Sequence, residues 1–426
     1  MSLAPLRLLI PILFLLVLYL SQRYWARSAR RTIDAVRHPA WRTGLRYLWT
    51  ATAILLLVAV VERFAAFHNA GWPTPAIARF SSQFVALWFT WSIVGFLAIS
   101  LVRGIAWIWR TGKETVHESS PATSELSNPP ADAGRRHFLR TATYAAGALP
   151  LAGALYGFAI ERFEFEVYRV DIPVAGLPAA LDGLRILQLS DIHASNYMPI
   201  SQVRRIVNQA QRLNADVIMS TGDLLTGRGD PLAACVAELS RLRVPLGIWG
   251  CNGNHEIYTH TEEEAARLFR QYGMTMLRQE NAQLAWKGAK FNLIGVDYQR
   301  QHWFSNANRT MLDGVDNLVR QDMPNILLSH NPNAFRRASE LGVELMLAGH
   351  THGGQVQVEI LDRHISPARF ITKYIAGLYQ RPMGESFLSL KRYASVYVSR
   401  GLGTIGTPVR LGVPPEISLL TLRRQP

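Results

Sequence analysis

Long apolar runs and short alternating ones divide this chain into two parts. Within the first 160 residues, four stretches pass with few or no charges: residues 3–21, interrupted by Arg7 alone, then 47–61, 80–102 and 141–160. A helix needs about 20 mostly apolar residues to cross the hydrocarbon of a bilayer. The stretch 80–102 meets this with 23 uncharged residues between Arg79 and Arg103, and 141–160 meets it with a milder, Ala- and Gly-rich run. The stretch 47–61 is short, and it needs Phe64 and Phe67 to lengthen it beyond Glu62 and Arg63. Runs of this length without polar alternation are hard to place in a water-soluble fold. The pattern therefore predicts a transmembrane region of about three helices over residues 1–110, a cytoplasmic linker over 111–140, a fourth transmembrane or signal-like helix over 141–160, and a separate domain over 161–426.

From about residue 183 the apolar runs shorten and alternate with amphipathic ones. Residues 184–190, 217–221, 244–249, 291–296, 326–329 and 345–348 read as strands. A helix is expected at 200–214, with Ile200, Val203, Val207, Ala210 and Leu213 on one face, and others at 261–272 and 309–321. This predicts an α/β layered domain. Runs at 356–360, 395–399 and 417–422 have no helices between them and suggest a second, more antiparallel sheet.

Charge changes the picture of the first part. The 426 residues hold 45 Lys and Arg against 31 Asp and Glu, a net charge of +14 that first suggests nucleic acid. Residues 1–160 carry 16 basic and 6 acidic residues, so most of the excess lies among the apolar runs. Arg23, Arg27, Arg30, Arg31, Arg37, Arg42 and Arg46 stand between the first two runs against Asp34 alone, which marks a cytoplasmic loop. Residues 62–79 hold two Arg, whereas 103–140 hold six basic residues. The alternation places 161–426 outside the cytoplasm, anchored to a bacterial inner membrane. Arg135-Arg136-His137-Phe138-Leu139-Arg140 before the fourth run resembles a twin-arginine export signal, although Gly134 stands where Ser or Thr is usual. The remaining domain is nearly balanced and lacks a dense basic run with interleaved aromatics, which argues against a nucleic-acid partner. Cys235 and Cys251 are the only cysteines and exclude a disulfide scaffold or Cys-based zinc finger.

The candidate chemistry recurs at one structural place, just beyond the ends of the expected strands. Asp191-Ile192-His193, Gly222-Asp223, Gly253-Asn254-His255-Glu256, His330 and Gly349-His350-Thr351-His352 each follow one. Ligands of open α/β sheets converge at that edge. Carboxylate, amide oxygen and imidazole suit two divalent ions such as Mn, Fe, Zn or Mg, with an Asp able to reach both.

These five blocks, D-x-H, G-D, G-N-H-[DE], H and G-H-x-H in order, resemble the calcineurin-like metallophosphoesterase superfamily over roughly residues 183–422. Ser329-His330-Asn331-Pro332 and Ala348-Gly349-His350-Thr351-His352-Gly353-Gly354-Gln355 are similar to its membrane-associated branch containing YkuE-like and YaeI-like phosphodiesterases. The resemblance implies a layered metallophosphoesterase sandwich of two β-sheets flanked by helices, following the N-terminal transmembrane helices. It assigns Asp191, His193, Asp223 and His352 to one metal ion, and Asp223, Asn254, His330 and His350 to the other. His255 would stabilise phosphoryl oxygens or protonate the leaving oxygen, and a hydroxide bridging the ions would attack phosphorus. Arg400 and Arg410 are candidate substrate-phosphate contacts.

The expected activity is hydrolysis of phosphodiester or pyrophosphate bonds in a phosphorylated small molecule or lipid, including envelope intermediates. Two alternatives stay open: a phosphomonoesterase of soluble metabolites, and a metal- or phosphate-sensing membrane protein without turnover.

Overall fold

A computed structural model describes residues 4–68, 76–117, 133–299, 311–360, 363–370, 372–383 and 392–425. The chain divides into two compact units, Met1–Tyr156 and Gly157–Pro426.

The first unit is helical, with α1 (Ala4–Asp34), α2 (Pro39–His68), α3 (Ala76–His117) and α4 (Ala133–Ala159). Among the described residues, Pro39–Val60, Leu87–Ile108 and His137–Phe163 are long and apolar enough to cross a membrane. The apolar run at 3–21 begins outside the described residues, and most of it lies in α1, where Ile12, Leu13 and Leu16 are exposed. Helix α3 continues into the expected linker, whose residues 118–132 lie outside the described ones. Gln22 Nε2 donates to Ser92 Oγ (2.8 Å) and Trp25 Nε1 to the Ser92 carbonyl (2.8 Å), while Tyr24 packs on Phe96. These contacts pack α1 against α3. Trp91 Nε1 donates to the Gly147 carbonyl, tying α3 to α4. Such bonds between apolar helices replace the hydrophobic drive that lipid removes.

The second unit has two six-stranded sheets face to face. The first is built from β1 (Glu166–Val174), β2 (Arg185–Leu189), β3 (Val217–Ser220), β4 (Ile248–Gly250) and β5 (Thr275–Met276), with α5 (Ile200–Gln211), α6 (Leu232–Leu239), α7 (Asn254–Thr259) and α8 (Glu262–Gln271) on its connections. The second contains β6 (Glu280–Trp286), β7 (Ala289–Gly295), β8 (Asn325–Leu328) and β9 (Leu345–Ala348), with α9 (Phe335–Glu340) between the last two. After a small hairpin, β10 (Val358–Ile360) and β11 (Arg363–Ile365), it gains β12 (Gly377–Pro382) and β13 (Tyr393–Val398), and β14 (Glu416–Arg424) returns to the first sheet. The strand orders are β1-β14-β2-β3-β4-β5 and β12-β13-β9-β8-β7-β6. Strands β2 to β5 are mutually parallel, as are β7, β8, β9 and β13.

Alternation along each strand divides its side chains between layers. Ile186, Val217, Met219, Ile326, Leu328, Leu345 and Leu347 fill the space between the sheets. Leu187, Ile218 and the helical Val203, Ile206, Val236 and Phe269 cover one outer face; Leu327, Met346, Phe335 and Ala338 cover the other. Each fully buried Val, Leu or Ile contributes roughly 1.5–3 kcal/mol relative to exposure. Gln188 is a buried polar residue between the sheets. Its Nε2 donates to Thr221 Oγ1 (3.0 Å) and to the Ala348 carbonyl (2.9 Å), joining the sheets at the edge where the parallel strands end.

Several sequence expectations change. The runs near 356–360, 395–399 and 417–422 do not form one sheet: β10 belongs to the hairpin, β13 pairs parallel with β9, and β14 inserts between β1 and β2. No α-helix forms over the described part of 309–321, which holds turns and a short 3-10 segment, Asp316–Leu318. Leu312 and Gly314 there adopt left-handed backbone that an α-helix cannot accommodate. The strand expected at 244–249 starts only at Ile248, because Pro245 lacks a donor and Gly247 turns the chain at φ 77°. Both cysteines are free and buried, Cys235 outside the first sheet and Cys251 between the sheets.

Candidate metal centre

The carboxyl ends of β2, β3, β4, β8 and β9 meet on one edge of the sandwich, and each delivers at least one polar side chain there. Asp191 and His193 follow β2, Asp223 follows β3, Asn254 and His255 open α7 after β4, His330 follows β8, and His350 and His352 follow β9. To aim these side chains inward, the chain leaves its strands abruptly. Eleven described non-glycine residues have positive φ, and five of them are Asp191, His193, Asp223, His350 and His352, so backbone strain concentrates on the candidate ligands. Two glycines permit the close approach: a Cβ on Gly253 would lie 2.2 Å from Asp223 Oδ1, and one on Gly349 would lie 2.1 Å from Asp191 Oδ2.

Two groups of ligand atoms result. Asp191, His193, Asp223 and His352 bring one atom each within 4.8 Å of one another, and Asp223, His330 and His350 do the same. His352 Nε2 lies 3.2 Å from Asp191 Oδ1 and 3.2 Å from His193 Nε2, which is 3.5 Å from Asp223 Oδ2. On the other side, His330 Nε2 lies 3.1 Å from Asp223 Oδ2 and 3.1 Å from Asn254 Oδ1, which is 2.7 Å from His350 Nδ1. Asp223 belongs to both groups, and Asn254 completes the second. Lone-pair donors packed this closely fit a shared cation: two imidazole nitrogens and two carboxylates converge, and all four residues of the first group are buried. The set suits hard or borderline divalent ions.

Hydrogen bonds behind the ligands hold their orientation. A directed chain runs from Gln188 through Thr221 Oγ1 and Ser190 Oγ (2.6 Å) to Asp191 Oδ2 (2.5 Å). The Thr221 carbonyl can only accept, so His330 Nδ1 donates to it at 2.6 Å and turns Nε2 toward Asp223. By the same logic His255 Nδ1 donates to the Thr226 carbonyl at 2.6 Å. His255 is half-buried, its ring edge-on to His193 and its amide bonded to Asp223 Oδ1 (2.8 Å). Glu256, fully buried, accepts from the amides of Asp223 (2.9 Å), Leu224 (2.7 Å) and Gly253 (2.7 Å). One carboxylate thus caps α7 and fastens the β3 and β4 loops together.

Electrostatics follows from this crowding. Burial, with the Asp223 charge also opposing ionisation, pushes Asp191 up to about 6, despite the counteracting His330. Burial also disfavours ionised Asp223, but His330 beside it outweighs that and holds the group well below the usual carboxylate range. His330 shows the converse: burial opposes its charge, yet Asp223 and Asp191 together raise it to about 10. Burial lowers His193 to about 3 and His350 to about 4. Without an ion, a proton on His330 therefore supplies the positive charge that the carboxylates require.

The two arginines expected at a substrate phosphate have other partners. Arg410 is fully buried and spends its guanidinium on the carbonyls of Arg400, Gly401, Gly403 and Val413. Arg400 pairs with buried Glu416 at 3.0 Å and stacks on Tyr168 at 4.1 Å. Burial in one case and ion pairing in the other tie both guanidiniums to the 400–416 loops. Reading only Asp, Asn and His at strand ends missed Tyr298, which follows β7: its ring lies 5.5 Å from His350 and 6.2 Å from exposed Tyr258. The position after a strand was the available signal.

Two facing mixed sheets with helices outside and a shared-carboxylate cluster at the strand ends define a metallophosphoesterase fold. Residues 184–354 match the family Calcineurin-like phosphoesterase. A transmembrane protein with metallophosphoesterase domain from Danio rerio is 30% identical over 64% of this chain and 60% of its own length. The metallophosphoesterase YkuE of Bacillus subtilis is 29% identical over 68% of this chain and 97% of its own. The phosphodiesterase YaeI of Escherichia coli is 27% identical over 56% and 82% respectively. The chain thus spans about 60% of the length of the fish relative.

Proposed function

We propose that the protein is a membrane-anchored, two-metal phosphoric ester hydrolase acting on phosphodiester or pyrophosphate bonds, including those of lipid or envelope intermediates. The observation that carries this reading is the pair of ligand groups hinged on Asp223, with half-buried His255 beside them. When bound, a pair of divalent ions supplies Lewis acidity and lowers the pKa of water toward neutrality. Asp191, His193 and His352 would hold one ion; Asn254, His330 and His350 the other; Asp223 both. The Ser190 and His350 donors fix Asp191, and the Glu256 bonds fix the backbone of Asp223. His255, anchored through Nδ1, presents Nε2 to protonate the leaving oxygen.

The diester preference is supported by the relative named as a phosphodiesterase, and the lipid substrate by the apolar helices in the same chain. We place residues 161–426 outside the cytoplasm of a bacterial inner membrane, with the twin-arginine-like segment at the start of α4 assisting export. The basic residues at 23–46 and 103–140, against two arginines at 62–79, support this topology. The test is turnover of bis-p-nitrophenyl phosphate, p-nitrophenyl phosphate and a lipid pyrophosphate with Mn²⁺. Higher kcat/KM on a diester or pyrophosphate is expected; preference for the monoester would replace the reading with a phosphomonoesterase, and no turnover of any by metal-loaded protein with a metal-binding sensor.

A further inference from the structure

The first unit contains a concentration of positive charge that neither catalysis nor helix packing uses. Arg23, Arg27 and Arg31 follow one another at helical spacing on α1, and Arg103 of α3 faces them across a cavity of about 350 Å³. Repetition at i, i+4 sets like charges against each other on a single helix face. Arg103 lies inside the apolar span Leu87–Ile108, where an uncompensated charge is expensive. Among the described residues none of the four has a carboxylate partner. Asp34, the one acidic side chain described in this unit, is bonded to Arg46 at 2.8 Å. The contact recorded for Arg103 is with the face of Tyr24, 5.3 Å from the ring centroid.

The rest of the lining shows what chemistry is missing. Ser28 adds a hydroxyl near the arginines, while Leu20 and Phe96 make an apolar wall. Four guanidinium forks suit phosphate oxygens, and an apolar wall suits the beginning of an acyl chain. A free phosphate would use the first and leave the second idle. We propose that this cavity between α1 and α3 binds the headgroup of an anionic phospholipid, the phosphate on the arginines and the proximal chain against Leu20 and Phe96. The site lies wholly within the helical unit, so it stands whether or not the catalytic reading holds.

The experiment uses the full chain in detergent, titrated with short-chain phosphatidylglycerol, short-chain phosphatidylcholine or inorganic phosphate, and counts bound molecules by native mass spectrometry. Phosphatidylglycerol is expected to bind in preference to phosphatidylcholine and to resist competition by inorganic phosphate. Arg27→Gln and Arg103→Gln should each weaken it roughly fivefold, the effect of one basic group at an anionic surface. Arg27→Lys keeps the charge and should retain most of the affinity, which separates loss of the site from loss of the fold. Arg30→Gln, on α1 but outside the cavity, should change nothing. Equal binding of the two lipids, full displacement by inorganic phosphate, or an Arg30→Gln effect as large as that of Arg27→Gln would each overturn the proposal.

Discussion

His255 and Asp223 are joined by one hydrogen bond, the amide of the first on the carboxylate of the second, but removing them should have different consequences. His255 is assigned to the leaving group, so His255→Ala should keep the metal content and lose about 10²–10⁴-fold in kcat on an alkyl diester, the usual worth of a positioned acid. On p-nitrophenyl esters, whose leaving group needs no proton, the loss should be much smaller; equal losses on both would remove His255 from that role. His330 gives the pH prediction. Its pKa of about 10 lies above the ordinary value, so in the metal-free protein its proton contributes stability that is fully present below about 6.5 and fades as pH rises through about 10. An incoming ion must displace that proton, so metal affinity should rise roughly tenfold per pH unit between about 6 and 10. Below about 6 the dependence should steepen, because Asp191 must also lose a proton. Calorimetry in buffers of different ionisation enthalpy reads this directly, and a pH-independent affinity with no proton release would contradict it.

At the scale of elements, the loops after β3 and β4 hold the centre together, and Glu256 is the clasp between them. Its carboxylate accepts three backbone amides, and Glu256→Gln would turn an N–H toward one of them. Metal affinity should fall by about 10–100-fold, as for other groups that orient ligands, while the ligands themselves remain. An unchanged metal-binding curve would show that the loops are held by packing alone. This clasp was only half legible in the sequence: Glu256 stands in the Gly253-Asn254-His255-Glu256 block, whereas its bonds to Asp223 and Leu224 cross between loops 33 and 32 residues apart. The ligand positions were legible because each follows a short, mostly apolar strand, and parallel strands buried on both faces concentrate their polar residues near their ends. The pairing of β14 with β1 and β2 was not, because Glu166–Val174 alternates weakly and its partner lies some 250 residues away, so no local period reports the contact. Arg410 was misread for a related reason: a buried guanidinium satisfied by carbonyls and one free to meet phosphate have the same sequence signature.

For the whole molecule, the net charge of +14 divides into an arginine-rich helical unit and a nearly balanced domain whose chemistry depends on a few Asp, Asn and His residues. A C-terminal reporter that is active only after export should be active on the full chain, and one active only in the cytoplasm would reverse the proposed topology. The central claim is that Asp223 serves two ions at once and that hydrolysis requires both. The most direct measurement is Mn²⁺ bound per full-length chain, followed alongside turnover of bis-p-nitrophenyl phosphate, for wild type and Asp223→Asn. The account predicts two ions and turnover for wild type, with turnover appearing only as the second site fills. In Asp223→Asn, occupancy should fall at both sites and the rate by on the order of 10³-fold, comparable to removing a principal charge-stabilising group. Full activity with one ion bound, or an Asp223→Asn protein that keeps both ions and its rate, would contradict it.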